Sequence, residues 1–276
     1  MIIWLASYPK SGNTWIRGFI TSLIYTNDGL SNLKNFKKIT QYPLKSHFLN
    51  LIDNFNDINK IKKYYHTTQD TINLDNKVKF LKTHNAMINI QGDNFSNTKN
   101  TLGVIHIVRD PRNIITSLKN HFFLKSYEEA REFLFDDKRI IRGDFGQPDF
   151  PIATLIASWN IHYYSWKQVQ KNYLLIRYED LIKNPFEEFY KISNYLSNLL
   201  GEKFSKNKIE NSIQSNSFDR LKQQEKIEGF GEFVNNKNKS FFHLGPENNW
   251  KILLNKDLAK EIELKFKNEM KELNYI

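Results

Sequence analysis

Three short stretches of this 276-residue chain carry side chains of the kind that handle anions and protons. The first is Tyr8-Pro9-Lys10-Ser11-Gly12-Asn13-Thr14-Trp15. It follows a β-rich apolar run at residues 2–5. Behind it Trp15, Ile16, Phe19, Ile20, Leu23 and Ile24 recur at the spacing of one buried helical face. A strand, a tight loop punctuated by Pro9 and Gly12, and a helix aim backbone N–H groups and a helix dipole at one point, where Lys10 adds a full charge. That is the chemistry of a phosphate or sulfate site; the plainer alternative is an ordinary strand–turn–helix connection with a surface lysine. The loop is not a Walker A loop, which needs a second glycine and sets its lysine after the last one, whereas Lys10 precedes Gly12.

The second stretch is Lys82-Thr83-His84, the polar end of the apolar run Val78-Lys79-Phe80-Leu81. Strand alternation puts Lys82 and His84 on one face and Thr83 on the other. A cation beside an imidazole at the exit of a parallel strand stands where open α/β sheets bind ligands. His84 is thus a candidate general base, with a structural histidine as the alternative. The third stretch, Arg109-Asp110-Pro111-Arg112-Asn113, ends the run Gly103-Val104-Ile105-His106-Ile107-Val108, which is apolar enough to be covered on both faces. Asp110 predicts a helix N-cap, Pro111 the first helical position, and Ile114, Ile115, Leu118 and Phe122 the apolar face. The guanidinium of Arg109 suits a phosphate or a neighbouring carboxylate. His106 reads as a packed core residue.

These groups need a scaffold that brings strand ends together. Tyr173-Leu174-Leu175-Ile176-Arg177 predicts a further strand ending in Tyr178-Glu179-Asp180-Leu181, and Asn184-Pro185-Phe186-Glu187 a helix opened by a capping box. Residues 155–166 form an aromatic helical stripe of core type, and residues 255–273 an amphipathic helix. Residues 26–76 read as helices and loops without a firm pattern, and 124–150, with Gly143, Gly146 and Pro148, as a loop or lid. The alternation of strand, loop and helix predicts an α/β fold in one domain over residues 1–276: a mostly parallel, doubly wound sheet flanked by helices. Its strand exits at 8, 82, 109 and 178 line one carboxyl edge.

Composition narrows the function classes. A formal net charge of +10 favours an anionic partner. The basic residues are spread rather than blocked, so nucleic acid is not the expected partner. The absence of cysteine removes disulfides, thiolate nucleophiles and Cys-based metal sites. No apolar run reaches membrane-spanning length and no signal-peptide pattern opens the chain, so a cytoplasmic protein without membrane insertion is expected.

The loop from Tyr8 to Trp15 closely resembles the one that grips the 5′-phosphosulfate in sulfotransferases using 3′-phosphoadenosine 5′-phosphosulfate (PAPS), and further matches follow in order. Lys82-Thr83-His84 looks like the family's Lys-Thr-His element, whose histidine is the base. Arg109 with Ser117 eight residues on resembles the 3′-phosphate motif. Ser158-Trp159 through Trp166 is similar to the family's aromatic helix. Arg177-Tyr178-Glu179-Asp180 matches the strand end whose tyrosine lies near the adenine, and Ser217-Phe218 with Leu221 resembles the adenine-contacting helix start. His243-Leu244-Gly245, ending in Trp250-Lys251, stands where the family has Arg-Lys-Gly before Trp-Lys.

The resemblance implies a P-loop-NTPase-like sulfotransferase fold with PAPS as donor, no required metal, and a small-molecule or glycan acceptor. It implies catalytic roles for His84, Lys10, Lys82 and Ser117. Its nucleotide contacts are Lys10, Ser11, Gly12, Asn13, Thr14, Trp15, Arg109, Ser117, Tyr178, Ser217, Phe218, Leu221, His243, Leu244 and Gly245. Two cations of the family's 3′-phosphate clamp are replaced by His243 and Leu244, and Asn248-Asn249 replaces Gly-Asp. No family dimerisation motif is present, and the oligomeric state stays open. Other readings are a nucleotide kinase or NTPase, which predicts Mg²⁺-dependent ATP binding, and a non-catalytic polyanion-binding module, which predicts steep salt dependence.

Overall fold

In the computed structural model, residues 1–143, 148–169, 171–230, 241–242 and 244–276 are described. Five strands, β1 (Ile2–Ser7), β2 (Thr40–Gln41), β3 (Lys79–Thr83), β4 (Thr101–Val108) and β5 (Tyr173–Arg177), form one sheet in the order β2-β3-β1-β4-β5. Every neighbouring pair is parallel. The helices that cover it are α1 (Asn13–Tyr25), α2 (Pro111–His121), α3 (Tyr127–Phe135), α4 (Trp159–Lys167), α5 (Tyr178–Lys183), α6 (Pro185–Leu200), α7 (Lys206–Ser215), α8 (Phe218–Glu228), α9 (Trp250–Leu253), α10 (Lys256–Lys265) and α11 (Lys267–Glu272).

Strand alternation sorts the core onto two faces. Ile3 and Leu5 of β1 pack with Ile16, Phe19, Ile20 and Leu23 of α1 and with Phe189, Ile192 and Leu196 of α6. Ile2, Trp4 and Ala6 point the other way, into Tyr42, Tyr65, Phe95 and Trp166. All six residues of β1 are buried, as expected of the central strand of a sheet covered on both sides. With every strand running the same way, the residues after β1, β3, β4 and β5 meet at the carboxyl edge, where such sheets bind ligands.

The sequence expectations need correction in four places. Residues 124–150 are not all loop: α3 lies there and buries Ala130, Phe133 and Leu134 in the core. Ser126 Oγ caps it by accepting from the Glu129 N–H at 3.2 Å, and Glu129 Oε2 in turn accepts from the Lys125 N–H at 2.6 Å. The region 26–76 contributes the two-residue edge strand β2, besides short 3₁₀ turns and the helix Tyr65–Ile72. The amphipathic tail is two helices, broken at the fully buried Phe266. Asn184 makes no side-chain cap to α6, whose start is set by Pro185 at its first turn. No helix among the described residues is long and apolar enough to cross a membrane.

Candidate functional site

The loop between β1 and α1 is held by its own side chains. Asn13 Nδ2 donates to the Leu5 carbonyl at 2.9 Å and to Ser7 Oγ at 3.2 Å, stapling the start of α1 back onto β1. Gly12 takes φ +98°, and a Cβ there would lie 2.5 Å from the ring of Tyr178, so only glycine fits both the turn and the neighbour. The N–H groups of Asn13 and Thr14 at the start of α1 have no intrahelical acceptor, while that of Trp15 already closes on the Gly12 carbonyl at 3.0 Å. The Ser11 N–H differs: it closes the turn on the Tyr8 carbonyl at 3.3 Å. The Ser11 side chain is fully buried, its Oγ without a hydrogen-bond partner among the described residues.

A cleft of about 870 Å³ opens over this loop. Lys10, Gly12, Asn13, Thr14, Trp15, Lys82, His84, Arg109, Ser117 and Tyr178 line it, with Phe218, Leu221, Leu244 and Gly245 at the nucleotide-contact end that the sequence suggests. Lys82 and His84 reach the cleft and Thr83 does not, as alternation requires. Ser11 does not line the cleft and Ser217 is exposed at the start of α8, while His243 lies outside the described residues. Phe218 packs against Gly245, which has φ +52° and no room for a Cβ.

His84 Nδ1 lies 2.8 Å from the Ser7 carbonyl and 3.3 Å from Ser7 Oγ. A carbonyl only accepts, so in the neutral ring Nδ1 carries the hydrogen and Nε2 the lone pair. Lys10, itself at φ +68°, sets its ammonium 4.2 Å above the Phe241 ring.

Arg109 is 5% exposed; its Nη1 donates to the Lys10 carbonyl at 2.9 Å and to Ser117 Oγ at 3.3 Å. Its guanidinium lies 4.2 Å from the centroid of the Tyr178 ring, and its Nε has no partner among the described residues. Burial raises the Tyr178 hydroxyl above the ordinary phenol range, against the pull of the Arg109 charge. Asp110 caps α2 through the Arg112 N–H at 2.9 Å, as the sequence predicts, and also pairs with the Arg112 guanidinium at 2.7 Å.

Three residues to which the motifs assign no role join the site. Arg17 lines the cleft one turn beyond Asn13, its guanidinium 5.1 Å from the Phe36 ring; helical spacing from Asn13 is the signal that finds it. Asn248 donates to Ser117 Oγ at 3.2 Å and accepts from Thr116 Oγ1 at 2.7 Å. His121 lines the cleft one turn after Ser117. Among the described residues no group of three or more acidic or histidine side chains is placed to hold a metal.

A family model described as the sulfotransferase domain matches residues 2–274. Cytosolic sulfotransferase 13 of Arabidopsis thaliana is 26% identical over 96% of this chain and 76% of its own length. Sulfotransferase 1B1 of Canis lupus familiaris is 21% identical over 96% of this chain and 82% of its own. Among solved structures, mouse sulfotransferase SULT7A1 complexed with PAP superimposes with a TM-score of 0.62 at 18% identity, covering 98% of this chain and 84% of that one. Retinol dehydratase in complex with androsterone and the inactive cofactor PAP gives 0.61 at 16% identity over 98% and 80%.

Proposed function

The chain belongs to the sulfotransferase-domain family, and from that premise we propose that it is a single catalytic domain that moves a sulfuryl group from PAPS to a hydroxyl or amine of a small-molecule or glycan acceptor. The observation that carries this reading is the convergence of Lys10, Lys82, His84 and Arg109 on one cleft, with the His84 tautomer fixed by the Ser7 carbonyl.

The site fits a nucleotide bearing anions at both ends. At one end stand the Lys10 ammonium, the side-chain-free Gly12 and the start of α1. At the other, Arg109 keeps a buried Nε–H with no partner among the described residues. PAPS, when bound, supplies the activated sulfuryl group and its phosphate leaving group.

His84 Nε2 takes the acceptor's proton while Nδ1 stays on the Ser7 carbonyl, which holds the ring in register and stabilises the imidazolium as it forms. Lys10 places positive charge where the leaving phosphate gathers negative charge, assisted by the N–H groups of residues 12–14. Lys82, 7% exposed, orients the sulfuryl group. Arg109 and Ser117 hold the 3′-phosphate, and Trp15 and Phe218 flank the adenine. Because Leu244 brings no charge to the cleft, Arg109 carries a larger share of that phosphate than it does where Arg-Lys precedes the glycine. The work is positioning and charge stabilisation, as in phosphoryl transfer.

The test is PAP formation from PAPS against a panel of phenols, alcohols and amino sugars, in EDTA. Transfer to at least one acceptor is expected, with His84→Ala lowering turnover by about 10²-fold or more and leaving donor affinity nearly intact. Near-normal turnover in that variant refutes the base assignment.

A further inference from the structure

Glu179 sits immediately after the tyrosine that supports both Gly12 and Arg109, and its carboxylate is spoken for on both oxygens. Oε1 accepts from the Asp110 N–H at 3.0 Å, and Oε2 accepts from the Tyr275 hydroxyl at 3.0 Å. Asp110 in turn grips Arg112, and Arg112 Nη2 donates to the Tyr275 carbonyl at 2.8 Å. The four residues therefore close a ring of hydrogen bonds: Tyr275 to Glu179, Glu179 to Asp110, Asp110 to Arg112, Arg112 back to Tyr275.

The ring joins the end of β4, the end of β5, the start of α2 and the segment after α11. Arg112 is pinned further by Glu263 at 2.5 Å and by the Trp250 ring at 4.1 Å from its guanidinium, and Arg177 lies 4.8 Å from the Tyr275 ring. None of these groups lines the cleft. They bracket the residues that do: Arg109 precedes Asp110, and Tyr178 precedes Glu179.

We infer that Tyr275 is a positioning residue that acts through Glu179 and Asp110 to hold Arg109 and the Tyr178 ring in place, and thereby sets how strongly the cleft prefers a nucleotide with a 3′-phosphate. This rests on the sulfotransferase reading of the site. Arg109 has three supports, the Lys10 carbonyl, Ser117 Oγ and the Tyr178 ring. The first belongs to the Gly12 loop, which itself abuts Tyr178. Fixing the peptide between Arg109 and Asp110, and the carboxylate after Tyr178, fixes two of the supports at once. Loss of the Tyr275 hydroxyl leaves Glu179 Oε2 without that donor in a half-buried place, and the carboxylate shifts to find another.

The experiment is calorimetric titration of the full chain with PAP and with adenosine 5′-phosphate, which differ only in the 3′-phosphate. It is run on the unaltered protein, Tyr275→Phe and Tyr163→Phe. Tyr163→Phe is the control: it removes another tyrosine–glutamate bond, to Glu272 of α11 at 2.9 Å, which involves none of Glu179, Asp110 and Arg109. The expected result is a PAP affinity lowered about fivefold to tenfold in Tyr275→Phe with adenosine 5′-phosphate affinity nearly unchanged, and an unaltered ratio in Tyr163→Phe. Glu179→Gln lowers the same ratio, and the Tyr275→Phe/Glu179→Gln pair falls short of the summed effects because both act along one path. An unchanged ratio in Tyr275→Phe, or an equal fall in Tyr163→Phe, overturns the inference. An unaltered protein that shows no preference for PAP overturns the sulfotransferase reading itself, and this inference with it.

Discussion

Arg109 and Arg112 stand three residues apart, both 5% exposed, yet their surroundings give them opposite uses. Arg112 faces the carboxylates of Asp110 and Glu263, so its charge is neutralised and its work is structural. Arg109 instead bonds the Lys10 carbonyl and the Ser117 hydroxyl and lies over the Tyr178 ring, with the Glu179 carboxylate feeling its charge without a direct bond, which suits the proposed anion-holding role. The sequence offered both a phosphate and a carboxylate as partners for Arg109; the carboxylate went to Arg112 instead. Arg109→Lys keeps the charge and loses the fork. It is expected to lower PAP affinity by about tenfold in calorimetry while leaving the melting temperature within a few degrees of the unaltered protein. Gly12→Ala meets both a positive φ and the Tyr178 ring. It should destabilise the fold by about 1–3 kcal/mol in urea unfolding and abolish nucleotide binding. Lys10, Lys82, His84, Arg109 and Ser117 were legible because each lies in a short local pattern. Asn248 stood out only as a departure from the motif, and its bonds to Ser117 and Thr116, like those of Tyr275, were not legible because the partners are distant in the chain and no spacing announces them.

At the scale of elements, long apolar strands announce themselves and short or polar pieces do not. β1 and β4 could be read from their runs, whereas β2 is Thr40-Gln41 at the sheet edge, with no apolar pattern to read. α3 escaped because glycines and a proline lie in the same stretch and four of its nine residues are charged. The signal was nevertheless present in Ser126-x-x-Glu129, a capping-box pattern of which the structure forms the Ser126 half, while the Glu129 carboxylate accepts from the Lys125 N–H one residue earlier. Asn184 shows the converse, a capping pattern whose side-chain bond does not form. Ser126→Ala is expected to reduce stability by about 1 kcal/mol, read as a lower urea midpoint at unchanged slope. An unaffected midpoint means that α3 is held by Ala130, Phe133 and Leu134 alone.

The whole molecule adds what no segment contains: closure of the Tyr275 ring across the sheet edge, and a buried histidine pair behind it. His106 and His162 are 1% exposed, with rings 5.9 Å apart. Burial pushes His162 down to about 3 and holds His106 well below the usual histidine value of 6.5. Both are neutral in the folded protein, while the unfolded chain takes up protons on them below pH 6.5. The unfolded state then binds more protons, so stability falls as pH drops through 6.5 and goes on falling toward about 3. Each ring contributes a slope of up to about 1.4 kcal/mol per pH unit in that window. His162→Gln should flatten the fall in melting temperature between pH 6.5 and 5 relative to the unaltered protein; an unchanged profile refutes the assignment.

The central claim is that the cleft at the carboxyl edge is built for a nucleotide carrying a 3′-phosphate. It is tested most directly by calorimetric titration with PAP in EDTA, beside ADP in EDTA and ATP with Mg²⁺. Micromolar PAP binding without metal, weaker binding of ADP and loss of the preference in Arg109→Ala are the predicted results. ATP–Mg²⁺ binding with no response to PAP contradicts the account and makes the cleft that of a kinase or NTPase.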